Sequence, residues 1–345
     1  DYKITGTKTP FASNPRSNAA KEIFDVFRKE GLWTGAYFSK PDWHNENYWW
    51  PYFPPKDRNV NYDPKKYPER WNAFKDFTYD QIKELMSGYG KMDILWLDGG
   101  WVRPLSSVDT TVEWQRGIKH NQDIDMKRIA TMARTYQPGL LIVDRTVPGE
   151  YENYTTPEQE VPDKPLSYPW ETCMTMGSSW SYVPNDTYKP ARQLIHLLIK
   201  IVSRGGNFLL NIGPGPGGDW DPNAYVRLQE IGQWIAVNGE GIYGSKPVAP
   251  YSTDNIYYTK SKDNNSLYAF WLSGTDSIVL PEQVVLKDVP VIKGSTITIL
   301  GTSTKLKWEM LNGNIVIRVS ASVAGKINNR YAVAFKIEAP VMKGK

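Results

Sequence analysis

The stretch Asp93-Ile-Leu-Trp-Leu-Asp98-Gly-Gly-Trp101 constrains this chain more than any other. A short apolar run ends on a carboxylate and then two glycines. Such a run reads as a buried parallel strand that carries Asp98 at its C-terminal tip. In a (β/α)8 barrel the strand tips face the active site, and Gly99 and Gly100 leave room for a close approach to the backbone. Trp96 and Trp101 add aromatic surface on either side. An acid between flat rings suits sugar chemistry, because the rings pack on apolar C–H faces while the acid acts at the anomeric carbon.

The surrounding pattern supports that placement. Helical periodicity predicts helices over 18–30 (Ile23, Phe24 and Phe27 inward), 79–89, 123–136, 190–204 and 222–238. Between them, 32–39, 92–97, 140–143, 170–176 and 207–212 read as strands. Alternation of this kind points to a parallel sheet with crossover helices. The count is five strands where a closed barrel needs about eight, so the simplest account places three earlier βα units upstream of residue 1. An open doubly wound sheet fits less well, since no strand is followed by a glycine-rich phosphate loop. Gly213-Pro-Gly-Pro-Gly-Gly218 is glycine-rich, but its prolines remove the N–H groups a phosphate needs, and it reads as a turn. After residue 247 the texture changes to short alternating runs at 256–259, 266–272, 277–279, 296–300, 315–319 and 332–337, separated by turns such as Asn312-Gly313-Asn314. The expected architecture is a (β/α)8 TIM-like barrel over residues 1–246, partial in this chain, followed by an antiparallel β-sandwich over 247–345 with a structural or accessory role.

Bulk properties exclude several classes. The 345 residues carry 41 basic and 37 acidic side chains, a net charge of +4, with no basic run, so nucleic acid is not an expected partner. A single cysteine, Cys173, permits no intrachain disulfide. No apolar run approaches the roughly 20 residues of a membrane helix. The chain begins with neither a signal peptide nor a methionine, and its numbering is expected to start inside a longer gene product. Fourteen tryptophans and 21 tyrosines place aromatics in polar loops, which favours a carbohydrate ligand over a nucleotide. No histidine–carboxylate cluster has metal-ligand spacing, so neither a metal nor a cofactor is expected.

Several segments, in one order, resemble the α-L-fucosidases of glycoside hydrolase family 29. Gly35-Ala-Tyr37-Phe-Ser39 with Pro41-Asp-Trp43-His44 is similar to that family's strand ending in Tyr and Ser and its Asp-Trp-His loop. Trp96-Leu-Asp98-Gly-Gly resembles the nucleophile motif, Asp144-Arg145 an arginine after a strand, and Thr156-Pro-Glu158-Gln159 the loop proposed to carry the acid/base. Trp170-Glu171-Thr-Cys-Met174, Ser179-Trp180-Ser-Tyr182, Leu209-Leu-Asn211-Ile-Gly213-Pro214 and Asn238-Gly-Glu240-Gly-Ile-Tyr243-Gly244 resemble later signatures. The resemblance covers residues from about 9 to 245 and weakens beyond. It implies a retaining exo-α-L-fucosidase acting on fucosylated glycans through a covalent glycosyl-enzyme, in a periplasmic or secreted location. The chain departs from the family in one respect. Earlier family strands hold the fucose hydroxyls with histidines, and His44, His120 and His196 match none of those positions.

A retaining glycosidase needs two carboxyls about 5–5.5 Å apart. Asp98, on a rigid strand end, suits the nucleophile. Glu150, Glu152, Glu158, Glu160 and Glu171 are candidate proton donors; motif position selects Glu158, with Glu160 and Glu171 in reserve. Arg145 is expected to orient Asp98 and contact sugar oxygens, Tyr37 to donate a hydrogen bond to the nucleophile or the sugar, and Trp96 and Trp180 to pack on the sugar's apolar face. His44 is expected at a sugar hydroxyl or the leaving group. For each, a structural role in a core, rim or solvated loop competes with the functional one. Two rival readings remain open: an inert fucosylated-glycan-binding protein on the same scaffold, and a barrel glycosidase for another galacto-configured sugar. Oligomeric state is not legible.

Overall fold

A computed structural model describes residues 13–290, 293–327 and 330–339, and two compact units, Asp1–Thr155 and Thr156–Lys345, divide the chain. The start of the family-like stretch, residues 9–12, lies outside the described residues.

The first unit is a three-stranded parallel sheet with helical crossovers. Helix α1 (Ala19–Lys29) is capped by Asn18, whose side chain accepts from the Lys21 N–H. Of its predicted inward residues only Phe24 packs on the core; Ile23 and Phe27 are exposed. Strands β1 (Gly35–Ser39), β2 (Ile94–Asp98) and β3 (Leu141–Asp144) lie in that order, with Tyr37 beside Trp96, Ser39 beside Asp98, and Leu97 beside Asp144. Helix α2 (Pro68–Gly88) links β1 to β2, and α3 (Met126–Tyr136) links β2 to β3. Helix α2 begins eleven residues before the expected start at 79 (79 − 68). Trp71, Phe74 and Thr78 continue the buried stripe of Ile82, Leu85 and Met86, and their polar neighbours had hidden the periodicity. Along β2 the pleat sends Leu95 and Leu97 into the core with α2 and α3, leaving Trp96 and Asp98 on the other face.

A buried ion pair ties the strand tips. Lys40, one residue past β1, is fully buried and pairs with Asp144 at the end of β3. The two strands are not neighbours, so the pair spans β2. Burial pulls the Lys40 ammonium pKa down, and Asp144 opposes that pull. Arg103 is also buried and donates to the Gly100 and Thr146 carbonyls, tying the turn after β2 to the turn after β3. Buried Glu152 accepts from the Thr146 N–H at 2.8 Å.

The second unit opens with two parallel strands, β4 (Trp170–Thr175) and β5 (Gly206–Asn211), joined by α4 (Ala191–Ser203) and followed by α5 (Pro222–Asn238). Gly206 is required by close packing, since a Cβ there would stand 2.5 Å from the Trp170 indole. Strands β6 (Ser245–Thr253), β7 (Ile256–Ser261), β8 (Ser266–Leu272), β9 (Gln283–Leu286), β10 (Thr296–Ile299), β11 (Lys307–Leu311), β12 (Asn314–Arg318) and β13 (Ala332–Glu338) then form two antiparallel sheets, ordered β10-β13-β8-β7-β6 and β11-β12-β9. Both sheets feed one apolar core, with Tyr258, Ala269 and Phe335 from the larger and Leu286, Ile315 and Ile317 from the smaller. The other face of the larger sheet, through Tyr268, Phe270 and Ala334, packs with Ile195, Ile199 and Trp234 of α4 and α5. Strands β8 and β13 are therefore covered on both faces. The second compact unit therefore holds β4, β5, α4 and α5 together with the two antiparallel sheets.

Three strands were missed and one expected strand is absent. The β6 segment was disguised by Pro247 and Pro250 and sits at a sheet edge. The exposed β11 joins β12 through Asn312-Gly313, both at positive φ. The four-residue β9 pairs only with β12. The 277–279 run is not a strand, because the Ser277 carbonyl is taken by the Ser273 and Thr275 hydroxyls.

The Lys40–Asp144 tie makes a direct stability prediction. Asp144→Ala strands a buried cation and should lose about 3–5 kcal/mol in urea unfolding. Lys40→Met combined with Asp144→Leu should recover most of that loss. A double variant no more stable than the single one contradicts the account.

Candidate active site

Asp98 ends β2 with both carboxylate oxygens held. The Arg145 guanidinium donates through Nη1 to Oδ1 at 2.7 Å, and the Tyr37 hydroxyl donates to Oδ2 at 2.7 Å. These donors come from the strands on either side of β2: Tyr37 lies in β1, and Arg145 follows β3 directly. The register accounts for the convergence. Tyr37 pairs with Trp96, and Arg145 donates its N–H to the Leu97 carbonyl at 3.3 Å, so both side chains leave the sheet at the level of the Asp98 tip.

The Asp98 side chain is 26 % exposed. Burial alone would raise its pKa, but the Tyr37 hydrogen bond, the Arg145 charge and the Gly99 N–H together hold it below the ordinary carboxylate value. Asp98 is therefore ionised through the neutral range. Tyr37 is pushed the other way, up to about 12, chiefly by burial at its hydroxyl, with the Ser39 hydrogen bond opposing and Asp98 adding to the rise. It remains a neutral donor although its residue as a whole is 60 % exposed. The Ser39 hydroxyl donates to the Tyr37 oxygen at 3.3 Å.

Trp96 supports this pair. Its indole stacks on Tyr37 with centroids 5.5 Å apart, and the Arg145 Cζ lies 5.0 Å from its ring centroid. At 9 % exposure it is buried between its neighbours, because residues 96 and 98 share one pleat face and the flanking side chains close over the ring. Gly99, at φ +89, accommodates the chain leaving β1: a Cβ there would stand 2.4 Å from the Pro41 Cδ. His44 lies in that same exposed turn, and its N–H donates to Asp42 Oδ1.

The second unit holds the remaining expected residues. Glu158 pairs with Cys173 in an isolated parallel bridge: the Gln159 N–H donates to the Cys173 carbonyl at 2.9 Å, and the Cys173 N–H to the Pro157 carbonyl at 3.2 Å. The Thr172 hydroxyl donates to the Glu160 carbonyl. The segment around Glu158 is thus pinned against β4. Glu158 and Glu160 are exposed, and Glu171 lies within β4 and is half-buried. Trp180 is exposed in a loop tied to the end of β5, where the Asn211 amide donates to its carbonyl at 2.9 Å. The 213–218 segment forms a turn, closed by the Gly215 N–H on the Asp219 carbonyl.

The other histidines are structural in their surroundings. His196 Nε2 lies 2.9 Å from the Tyr331 carbonyl, and burial lowers its pKa. His120 is half-buried near Asp63, with its pKa likewise lowered by burial. Among the described residues no group of three or more His, Cys, Asp or Glu side chains is arranged to hold a metal ion. No helix there is long and apolar enough to cross a membrane.

Sequence reasoning missed Lys40, Arg103 and the structural part of Asp144; Glu152, one of the candidate proton donors, is buried and accepts from the Thr146 N–H. Asp144 showed the same signal as Asp98, an apolar run ending on an acid. Lys40, next to a predicted strand end, read as a solvated charge.

Comparison with known proteins places these residues in a family. The chain is 30 % identical over 272 residues to an alpha-L-fucosidase of Dictyostelium discoideum, covering 78 % of this chain and 55 % of that protein. It is 26 % identical over 337 residues to an alpha-L-fucosidase of Branchiostoma floridae, covering 94 % and 68 %. It thus spans little more than half the length of the first of these relatives. Among solved structures, alpha-L-fucosidase isoenzyme 1 from Paenibacillus thiaminolyticus shares the fold at a TM-score of 0.75 and 23 % identity, covering 99 % of this chain and 81 % of that one. A Bacteroides thetaiotaomicron alpha-L-fucosidase solved as a trapped covalent intermediate matches at a TM-score of 0.70 and 21 % identity, covering 96 % and 75 %. The alpha-L-fucosidase C-terminal domain model matches residues 250–338. The alpha-L-fucosidase model itself matches residues 5–240, the stretch that carries the paired carboxylate at the tip of β2, and on that match the chain belongs to the alpha-L-fucosidase family.

Proposed function

We propose that this chain carries the chemistry of a retaining exo-α-L-fucosidase that removes terminal α-L-fucosyl groups from glycans. The observation that carries the reading is the state of Asp98: ionised, oriented through both oxygens, and placed on a strand tip. A nucleophile that attacks an anomeric carbon needs those properties. A carboxylate serving only to bind glycan does not need a lowered pKa and two fixed donors.

In this mechanism Asp98 attacks the anomeric carbon while the glycosidic oxygen takes a proton from Glu158. The leaving group departs, and the fucosyl unit remains esterified to Asp98. Glu158, now a carboxylate, removes a proton from water, which attacks the same carbon and releases fucose and Asp98. Arg145 and Tyr37 keep the nucleophile's charge fixed and aimed, so little reorganisation is needed as the transition state forms. Arg145 also reaches sugar oxygens, Trp180 packs on the apolar face and methyl of fucose, Trp96 backs the nucleophile's donors, and His44 meets a hydroxyl or the leaving group. The assignment of Glu158 draws on its motif and on the pinning of its segment to β4. The related Bacteroides protein, solved as a trapped covalent intermediate, supports the two-step course.

The proposal extends to the architecture. Residues 1–246 are assigned the chemistry on a (β/α)8 barrel, with the parallel strands β1 to β5 as its support. Residues 247–345 are assigned an accessory role. A periplasmic or secreted location belongs to the same reading.

Two experiments on the natural polypeptide that carries this chain test the assignment. With an aryl α-L-fucoside, Glu158→Ala should turn over slowly and recover with azide, releasing α-L-fucosyl azide; absence of rescue moves the acid/base to Glu160 or Glu171. Tyr37→Phe removes a donor that lowers the Asp98 pKa, so the acid limb of kcat/KM should move to higher pH and the plateau should fall roughly tenfold. An unmoved acid limb contradicts the role given to Tyr37.

A further inference from the structure

Past β1 the chain runs over the tip of β2 and then displays an aromatic array. Pro41 sits against Gly99, and a Cβ on that glycine would also lie 3.6 Å from Trp101 Cζ2, so Trp101 borders the same backbone step that follows Asp98. Two residues beyond Pro41, the Trp43 indole stacks on Trp101 with centroids 6.3 Å apart and planes 6° apart. It also stacks on Trp49, at 5.7 Å and 25°. Two indole N–H groups of this array are taken by backbone: Trp43 Nε1 donates to the Arg58 carbonyl at 3.3 Å, and Trp49 Nε1 to the Asn59 carbonyl at 2.9 Å. What remains outside is carbon surface, and Trp43 stays 48 % exposed despite both stacks. The exposed Arg58 guanidinium lies 5.3 Å from the Trp101 ring centroid.

We infer that the Trp43–Trp101 array seats the leaving group, the pyranose ring to which the fucose is attached. This inference rests on the fucosidase reading of Asp98 and deepens it. Gly99, the residue next to the nucleophile, borders both Pro41 and Trp101, so a sugar departing from Asp98 leaves close to these rings. A pyranose offers a C–H face of the right chemistry for aromatic carbon, and its hydroxyls suit the guanidinium of Arg58 at the rim. A nucleotide or a peptide has no such demand on an aromatic surface placed beside an anomeric centre. Trp43 is thus a specificity residue for the leaving group and has no part in activating Asp98.

The test separates the leaving group from the chemistry. α-L-Fucosyl fluoride has no ring to seat, whereas fucosyllactose does. In the natural polypeptide, Trp43→Ala should lower kcat/KM on fucosyllactose roughly threefold to tenfold and leave fucosyl fluoride within about twofold. Trp43→Phe should keep most of the activity on fucosyllactose. In the unmutated protein, free lactose should perturb the near-ultraviolet circular dichroism of the stacked indoles, a readout that needs no variant to fold. Equal losses on both substrates, no loss on fucosyllactose, or no response to lactose overturns the assignment while leaving the hydrolase reading intact. An unmutated enzyme that leaves fucosyl fluoride unhydrolysed overturns the hydrolase reading and this one with it.

Discussion

The first unit is organised around keeping one carboxylate ionised where water is scarce. Desolvation drives the Asp98 pKa up, and three donors from separate pieces of backbone reverse it: Tyr37 from β1, Arg145 from beyond β3, and the Gly99 N–H. No single strand could supply them. The parallel register places Ser39 beside Asp98 and Leu97 beside Asp144, which brings the three tips to one level. The dependence runs both ways, because Arg145 and Tyr37 also need the carboxylate, and Trp96 packs against both.

That register has its own foundation. Lys40 and Asp144 join the outer strands across the middle one, and Arg103 fixes the turn after β2 to the turn after β3. Buried ion pairs of this kind add little net stability, but breaking one is costly. Their value here is geometric, since a slip of one residue in a strand would reverse the faces of Trp96 and Asp98. Gly99 and Gly100 belong to the same construction. A side chain at Gly99 would meet Pro41, and one at Gly100 would overlap the Thr146 hydroxyl.

The sequence carried the site unevenly, for physical reasons. Asp98 was legible because a buried strand must be apolar until it reaches its tip, where an acid is conspicuous. Asp144 shows the same pattern and turned out to be structural: the pattern locates tips and does not reveal which partner waits there. Lys40 was invisible, since nothing local tells a buried ammonium from a solvated one; its partner lies 104 residues away. Trp96 was expected to offer a face to sugar; its contacts with Tyr37 and Arg145 were not legible, because they are set by strands that sequence spacing does not relate. In the second unit β8 and β13 were found as strands, but their second buried face, packed on α4 and α5, was not foreseen.

The central claim is that Asp98 becomes covalently bonded to the sugar. The direct measurement is to incubate the natural polypeptide with 2-deoxy-2-fluoro-α-L-fucosyl fluoride, which loses fluoride readily but slows release of the glycosyl-enzyme, and then to map the modified peptide by mass spectrometry. The account predicts one added fluorofucosyl group per chain, on the peptide containing Asp98 and at that side chain. Label on a different carboxylate, or inactivation without any covalent mass gain, would contradict it.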